Sequence, residues 1–183
     1  INRYNYGENI GELPVFSPDT VKEKDNKRPD KRFLENSDLL NLLIEANGKK
    51  INVACIHFPV VDYNISGHKN GEFVDMQNII DILRAREHME RLIKILRTIS
   101  SPLIFTADLN SPRGGFIYDN IAHELVDTVP SNLDSSLDPI LYRKPDIKFM
   151  VDTIMTSPEI EYKNFEIIEG VSDHKAFCVS VEF

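Results

Sequence analysis

The stretch LIFTADLNSPRGG, residues 103–115, contains the pattern on which the fold and chemistry of this chain depend. Residues 103–106 form a short, uniformly apolar run, typical of a strand buried on both faces of a sheet. Asp108 and Asn110 follow it two residues apart, so their side chains can point the same way while the chain is extended. Gly114 and Gly115 come next and would let backbone approach a ligand closely.

Three other strand-like runs end in, or enclose, unusual polar residues. His57 ends INVACIHF, Asp152 interrupts KFMVDTIMTSP, and Asp173 and His174 lead into the last strand in GVSDHKAF. A lone histidine of this kind is usually a satisfied core residue, and an Asp-His pair is common in turns. An unpaired buried carboxylate is costly, however, so Asp152 needs a histidine or a metal as its partner.

Outward from these strand ends, the pattern predicts a single α/β or α+β domain over residues 1–183. Asn47-Gly48 separates two alternating apolar runs and indicates a hairpin, with a helix from Ser37 to Gly48 as the competing interpretation. Apolar residues at three- and four-residue steps predict a helix over residues 74–100 that docks one face, including Leu83, on a sheet. Further strands are predicted at 13–16, 149–156, 164–169 and 175–182, with loops at 19–32 and 59–72.

The composition excludes several classes of protein. With 183 residues, 42% hydrophobic and 27% charged, the chain suits a soluble globular domain. Its formal net charge of −8 disfavours non-specific nucleic-acid binding. No signal peptide, membrane-spanning run, GxGxxG or Walker A motif is visible, which favours a soluble, cytoplasmic protein. Cys55 and Cys178 lie in apolar runs and are expected to be buried and unpaired.

The polar residues at the strand ends form an acid and histidine set with one carboxamide. Together they suit metal-assisted attack of water on phosphorus. A hard cation takes carboxylate oxygens, and a carboxylate can orient or deprotonate water. Histidines and an amide can stabilise the charge that grows on phosphoryl oxygens.

In this order and spacing the chain resembles the endonuclease/exonuclease/phosphatase superfamily. The motifs that carry the resemblance are the strand-terminal histidine of INVACIHF, TADLN, VDTIMTSP and GVSDHKAF. The resemblance runs from about Leu13 to Phe183. It implies a four-layer α/β/β/α sandwich whose N-terminal part is missing from this chain.

The resemblance also implies a role for each residue in a metal-dependent phosphoesterase. Asp108 would activate water and Asn110 would bind a phosphate oxygen. His57 and His174 would bracket the phosphoryl group, with His174 as transition-state stabiliser or proton carrier. Asp152 would orient a histidine. Asp173 would support His174 and reach the metal, expected to be Mg²⁺ with Mn²⁺ as the alternative.

Two departures bear on function. Ala107 and Leu109 replace the family's usual Gly and Phe, which are mild changes. The family's Asn on an early strand and its metal-binding Glu on a following strand have no counterpart, since Glu8 and Glu12 lie in a Gly/Asn-rich opening. Alternatives therefore stay open: a non-catalytic binding domain of the same fold, or an inactive fragment. A missing N-terminal segment or a partner chain would then cover the open sheet.

The substrate class is left open between a small phosphoester, a phospholipid head group and nucleic acid. The acidic balance and the lack of a basic, aromatic-rich stretch favour the first two over duplex DNA. A two-metal calcineurin-like phosphoesterase is disfavoured, because its Gly-Asp-x-x-Asp element and Asn-His pair do not occur.

Overall fold

The computed structural model describes residues 2–5, 38–46, 48–60 and 76–182. The predicted strand at 13–16, the loop at 19–32 and most of the loop at 59–72 lie outside these residues. Within them, the strands are β1 (Asn2–Asn5), β2 (Asp38–Ala46), β3 (Lys49–His57), β4 (Leu103–Asp108), β5 (Val126–Asp127), β6 (Asp152–Thr156), β7 (Glu161–Ile168) and β8 (Ala176–Glu182). The helices are α1 (Met76–Leu96) and α2 (Phe116–Ala122).

The described strands form two sheets. The larger has the order β1-β2-β3-β4-β6-β5, and β7 pairs with β8 in the smaller. Only the β3–β4 pair in the larger sheet is parallel among the described strands, and it is joined through α1. The mixture of sheet and helix confirms the predicted α/β class.

The predicted hairpin is confirmed, and the competing helix is wrong. β2 and β3 pair antiparallel from Leu40↔Cys55 to Ala46↔Lys49. Gly48 has φ +75°, a conformation that glycine adopts without a steric penalty. Cross-strand pairing therefore overrides the helical spacing of the leucines in β2.

The predicted long helix forms, with a shorter extent and a different buried face. α1 ends at Leu96, a few residues before Pro102. Ala85, Met89, Leu92 and Leu96 are its buried contacts with the core. Leu83 is 57% exposed, so the predicted apolar face does not extend to it. None of the helices within the described ranges has the length and apolarity needed to cross a membrane.

One face of the large sheet carries the core. Helices α1 and α2 cover it, and its sheet residues are Leu39, Ala54, Ile56, Leu103, Phe105, Ala107 and Met155. Phe165 of β7 and Phe177 of β8, whose ring centroids are 5.2 Å apart, pack against the core. Strand β8 also contacts β6 of the larger sheet.

The expectation that both cysteines are buried is wrong. Cys55 and Cys178 are both exposed and free. On β3, the buried residues Ala54 and Ile56 alternate with Cys55 and His57, which point to the opposite face of the sheet. An apolar run identifies a strand but does not reveal which of its two faces is covered.

Candidate active site

Strand pairing brings three of the predicted residues to one end of the large sheet. His57 and Asp108 are the last residues of β3 and β4, and the two are register partners. Asp108 is also the partner of Asp152, the first residue of β6. The parallel and antiparallel pairings therefore place an imidazole and two carboxylates in one row across three strands.

The loop between β7 and β8 adds His174 to this row. Its Nδ1 lies 2.7 Å from Asp152 Oδ2 and 3.9 Å from Asp108 Oδ2. His57 Nε2 lies 3.5 Å from Asp108 Oδ2, with half of the His57 side chain exposed. A cleft of about 250 Å³ opens beside the carboxylates, and its lining includes Asp108, Asp152, Lys175 and Phe177.

Asn110 lies where the chain turns out of the sheet. Its φ is +46°, so the chain is no longer extended there, unlike the geometry expected from the two-residue spacing. Its backbone N–H donates to Asp108 Oδ1 at 2.9 Å, and its side-chain amide donates to the carbonyl of Phe58 at 2.8 Å. The Asn110 amide thus ties the end of β4 to the end of β3.

The conformation of the chain itself explains the two glycines after this turn. A Cβ on Gly115 would lie 2.7 Å from the carbonyl oxygen of Pro112, and Gly114 has φ +82°. Gly115 then begins α2 as its N-cap. Both glycines are therefore needed for the β4–α2 turn, whatever a ligand requires.

The surroundings of Asp108 and His174 shift the pKa values of both side chains. Burial, followed by the nearby Asp152 carboxylate, raises the pKa of Asp108 above its usual range. The hydrogen bond to Asp152 raises the pKa of His174. A carboxylate with a raised pKa is a stronger base, and the imidazolium form of His174 is favoured beside two acids.

Asp108, Asp152 and His174 are also close enough together to hold a cation. One ligand atom from each lies within 4.8 Å of the others. Two adjacent carboxylates that repel each other suit a divalent cation, although Mg²⁺ prefers six oxygen ligands and these residues supply only part of such a set. Asp173 is exposed and lies outside this group, so its predicted metal contact has no support in the geometry.

Residues that the sequence analysis did not select support the β4–α2 turn from the helical side. Asp127 Oδ2 accepts hydrogen bonds from Arg113 at 2.9 Å and from the Tyr118 hydroxyl at 2.8 Å. Its Oδ1 accepts from Thr153 at 3.2 Å. Burial raises the pKa of Tyr118 to about 12, so its hydroxyl remains a donor. The signal was present: an acid interrupts the apolar run LVDTV (residues 125–129), as Asp152 interrupts the apolar run FMVDTIM (residues 149–155).

Removing the Asp127 carboxylate should destabilise the fold. We expect Asp127→Ala to lower the free energy of unfolding by about 2–4 kcal/mol, because Arg113 and Tyr118 lose a largely buried acceptor. Urea denaturation measures this change. The control is Asp134→Ala, since the Asp134–Lys148 pair is 69% exposed on both sides and should contribute at most about 1 kcal/mol. Equal losses in the two variants would contradict the supporting role of Asp127.

Three solved structures illustrate what this architecture is similar to. A Beutenbergia cavernae endonuclease/exonuclease/phosphatase is 15% identical with a TM-score of 0.55, over 79% of this chain and 39% of its own. The TRAS1 retrotransposon endonuclease domain is 14% identical with a TM-score of 0.54, over 79% and 64%. A Bacteroides vulgatus endonuclease/exonuclease/phosphatase is 18% identical with a TM-score of 0.52, over 79% and 54%.

The chain has the endonuclease/exonuclease/phosphatase fold. This likeness confirms the predicted fold. No protein-family model and no curated protein matches the chain. The chain spans between 39% and 64% of the length of these three structures. Identities of this size establish the fold and leave activity to be argued from the site.

Proposed function

We propose that the chain carries the reaction centre of a metal-dependent phosphoesterase that hydrolyses a phosphodiester or phosphomonoester. The observation that carries the proposal is the convergence of Asp108 and Asp152, at two strand ends, with His174 from the β7–β8 loop, with ligand atoms within 4.8 Å of one another. His57 and Asn110 border the same place on the sheet. Asp108 and His174 both have raised pKa values, and an acid and a histidine with shifted pKa values beside a cleft are typical of catalytic sites.

In the proposed reaction Asp108 is the base. Water gives a proton to the Asp108 carboxylate while its oxygen forms a bond to phosphorus, and the phosphorus–oxygen ester bond breaks. The imidazolium of His174, held through Nδ1 by Asp152, stabilises charge on the phosphoryl oxygens and can protonate the departing alkoxide. His57 lies on the opposite side of Asp108 and would contact the phosphoryl group from there.

The proposed cation is Mg²⁺ or Mn²⁺. Asp108 and Asp152 are the carboxylates that could contribute oxygen ligands, and other ligands would have to come from water, substrate or further protein groups. A bound cation would supply Lewis-acid stabilisation of the phosphoryl charge. Asp173 remains only a predicted ligand.

The substrate proposed first is a small phosphoester or a phospholipid head group. The net charge of −8 opposes a duplex backbone, although the TRAS1 domain with the same fold is an endonuclease. Lys175 lies in the cleft wall with only 12% of its side chain exposed and pairs with Glu169 at 3.1 Å. A cleft of about 250 Å³ with one lysine in its lining suits a single phosphate group better than a polymer track.

Hydrolysis of one generic phosphodiester and one generic phosphomonoester tests the proposal. The assays use this chain and, where the reading frame continues upstream, the longer protein, each with Mg²⁺ and with EDTA. We expect turnover with Mg²⁺ and at least about a 100-fold loss in EDTA, since metal ions supply several kcal/mol to such reactions. The ratio of diester to monoester turnover assigns the substrate class.

A folded protein that is inert on these and on natural phosphoesters would contradict the proposal. It would favour the second candidate, a non-catalytic binding domain of the same fold. The observation that supports this candidate is the apolar surface on the site's face of the sheet. There Leu40, opposite the exposed Cys55, is 38% exposed, and Ile44, further along β2, is 42% exposed. Such a surface is typical of a face that another protein segment covers.

A further inference from the structure

A buried segment without regular secondary structure connects the two halves of the site. Ser136 Oγ accepts hydrogen bonds from the backbone N–H groups of Val151 and Asp152 at 3.0 and 3.1 Å. Its carbonyl accepts from the N–H of Lys175 at 2.8 Å. One residue therefore bonds to the start of β6 on one side and to the β7–β8 loop on the other.

Asp138 completes this connection. Its Oδ1 accepts from the N–H groups of Ile140 and Leu141, both at 2.9 Å, and its Oδ2 accepts from the N–H of Gly170 at 2.7 Å. Its own N–H donates to the carbonyl of Asp173 at 2.9 Å. Asp138 is 2% exposed, so no substrate can reach its carboxylate.

The polar run is unusual for a loop. Ser135, Ser136 and Asp138 are all at most 5% exposed, and such burial is favourable only when hydrogen bonds satisfy the polar groups. The three backbone N–H groups lower the pKa of Asp138, which keeps it ionised as an acceptor. Charge-assisted bonds of this kind are stronger than neutral ones and hold loop backbone in one conformation.

We propose that Asp138 is a positioning residue that holds the β7–β8 loop so that the His174 imidazole meets the Asp152 carboxylate. Leu137 forms a bridge with His174 in the antiparallel sense, directly beside the Asp138 contacts. Asp152 is fixed by Ser136, and His174 is fixed by Leu137 and Asp138. The 2.7 Å contact between them therefore depends on a segment that touches neither reacting atoms nor solvent.

The effect on catalysis rests on the proposed function, whereas the effect on geometry does not. Asp138→Asn retains Oδ1 as the acceptor for Ile140 and Leu141 but replaces Oδ2 with an amide, which repels the Gly170 N–H. It therefore removes the bond to Gly170 in the β7–β8 loop while preserving the neighbouring turn and the backbone bonds of Ser136 and Asp138 to this loop. Asp138→Ala removes all three bonds. Asp146→Asn, an exposed acid in the same long loop, is the matched control.

The test has two independent readouts. In NMR with ¹⁵N-histidine labelling, assigned through His174→Gln, the hydrogen-bonded imidazole N–H of His174 gives a downfield signal. We expect Asp138→Asn and Asp138→Ala to lose this signal and to speed amide exchange at Lys175, while Asp146→Asn retains both. In the phosphoesterase assay we expect kcat to fall about 10-fold in Asp138→Asn and about 100-fold in Asp138→Ala, with KM changed less than kcat.

The outcomes separate the two hypotheses. Loss of the His174 signal in a folded Asp138→Asn protein supports positioning even if the wild type hydrolyses nothing, in which case only the proposed function fails. Retention of the His174 signal in Asp138→Asn overturns positioning, and if the wild type hydrolyses phosphoesters the proposed function still stands. If Asp138→Ala does not fold, Asp138→Asn decides alone, because it keeps two of the three hydrogen bonds.

Discussion

Asp108→Asn is expected to lower kcat by at least about 1,000-fold, because the proposed base is replaced by a group that cannot accept a proton. The substitution preserves shape, and an asparagine oxygen can still accept the N–H of Asn110, which Asp108 Oδ1 accepts at 2.9 Å. Steady-state kinetics on the preferred phosphoester measure the loss. Residual turnover above about one tenth of the wild type would exclude Asp108 as the base.

The same variant should be more stable than the wild type when no metal is present. The pKa of Asp108 is raised in the folded state, so its stabilising contribution is complete below the unfolded pKa and is lost as pH rises through the folded pKa. Asparagine has no proton to lose and never acquires the buried negative charge that destabilises the folded wild type at neutral pH. In EDTA at pH 7 we expect Asp108→Asn to be about 0.5–2 kcal/mol more stable, with the difference disappearing in acid.

Added Mg²⁺ should reverse this difference, because a cation that binds the wild-type carboxylates stabilises only the protein that has them. Urea denaturation at several pH values, with Asp146→Asn as control, measures both effects. If the variant is less stable than the wild type in EDTA, the folded protein does not disfavour the charged form of Asp108, and the prediction is wrong.

Asp152→Asn is expected to lower kcat by about 100- to 10,000-fold, the range in which a positioned acid or base contributes. The Asp152 carboxylate accepts from His174 Nδ1 at 2.7 Å, and this hydrogen bond is the main reason that the pKa of His174 is raised. With the charge removed, the pKa of His174 should fall towards its ordinary value of 6.5. Less imidazolium then remains at neutral pH.

The pH dependence distinguishes this role from a merely structural one. If imidazolium is the active form, wild-type activity declines as pH rises through the raised pKa of His174, and Asp152→Asn should decline at lower pH. The loss should therefore be larger at pH 8 than at pH 6. The free energy of unfolding should change with pH in the same direction. The stabilising contribution of His174 is complete below pH 6.5 and is lost as pH rises through the raised pKa of the folded state.

The matched control is His123→Gln, which removes an exposed histidine from the end of α2 and should leave rate and pH profile unchanged. Because the carboxylates of Asp108 and Asp152 both lie within 3.9 Å of His174 Nδ1, the profile belongs to these groups together, and the shift between variants is the quantity to compare. An unchanged profile in Asp152→Asn would remove Asp152 from the mechanism as proposed.

Much of the fold was predictable because its signals are local. Alternation around Gly48 identified the β2–β3 hairpin, and the apolar run before Asp108 identified β4. Which face of each strand or helix is buried could not be predicted from local sequence. Cys55 and Leu83 have apolar neighbours in sequence, yet both are exposed, because burial depends on which elements pack over a strand or helix.

The tripeptide Val-Asp-Thr, which occurs twice, shows where sequence information ends. By itself, the sequence determined that each acid interrupts an apolar run and that its carboxylate, if buried, needs a partner. Only the tertiary structure decided that Asp152 faces His174 and the cleft, while Asp127 faces Arg113 and Tyr118 on the helical side. The physical reason is that successive side chains of a strand point to opposite faces, and register with neighbouring strands decides which face an acid occupies.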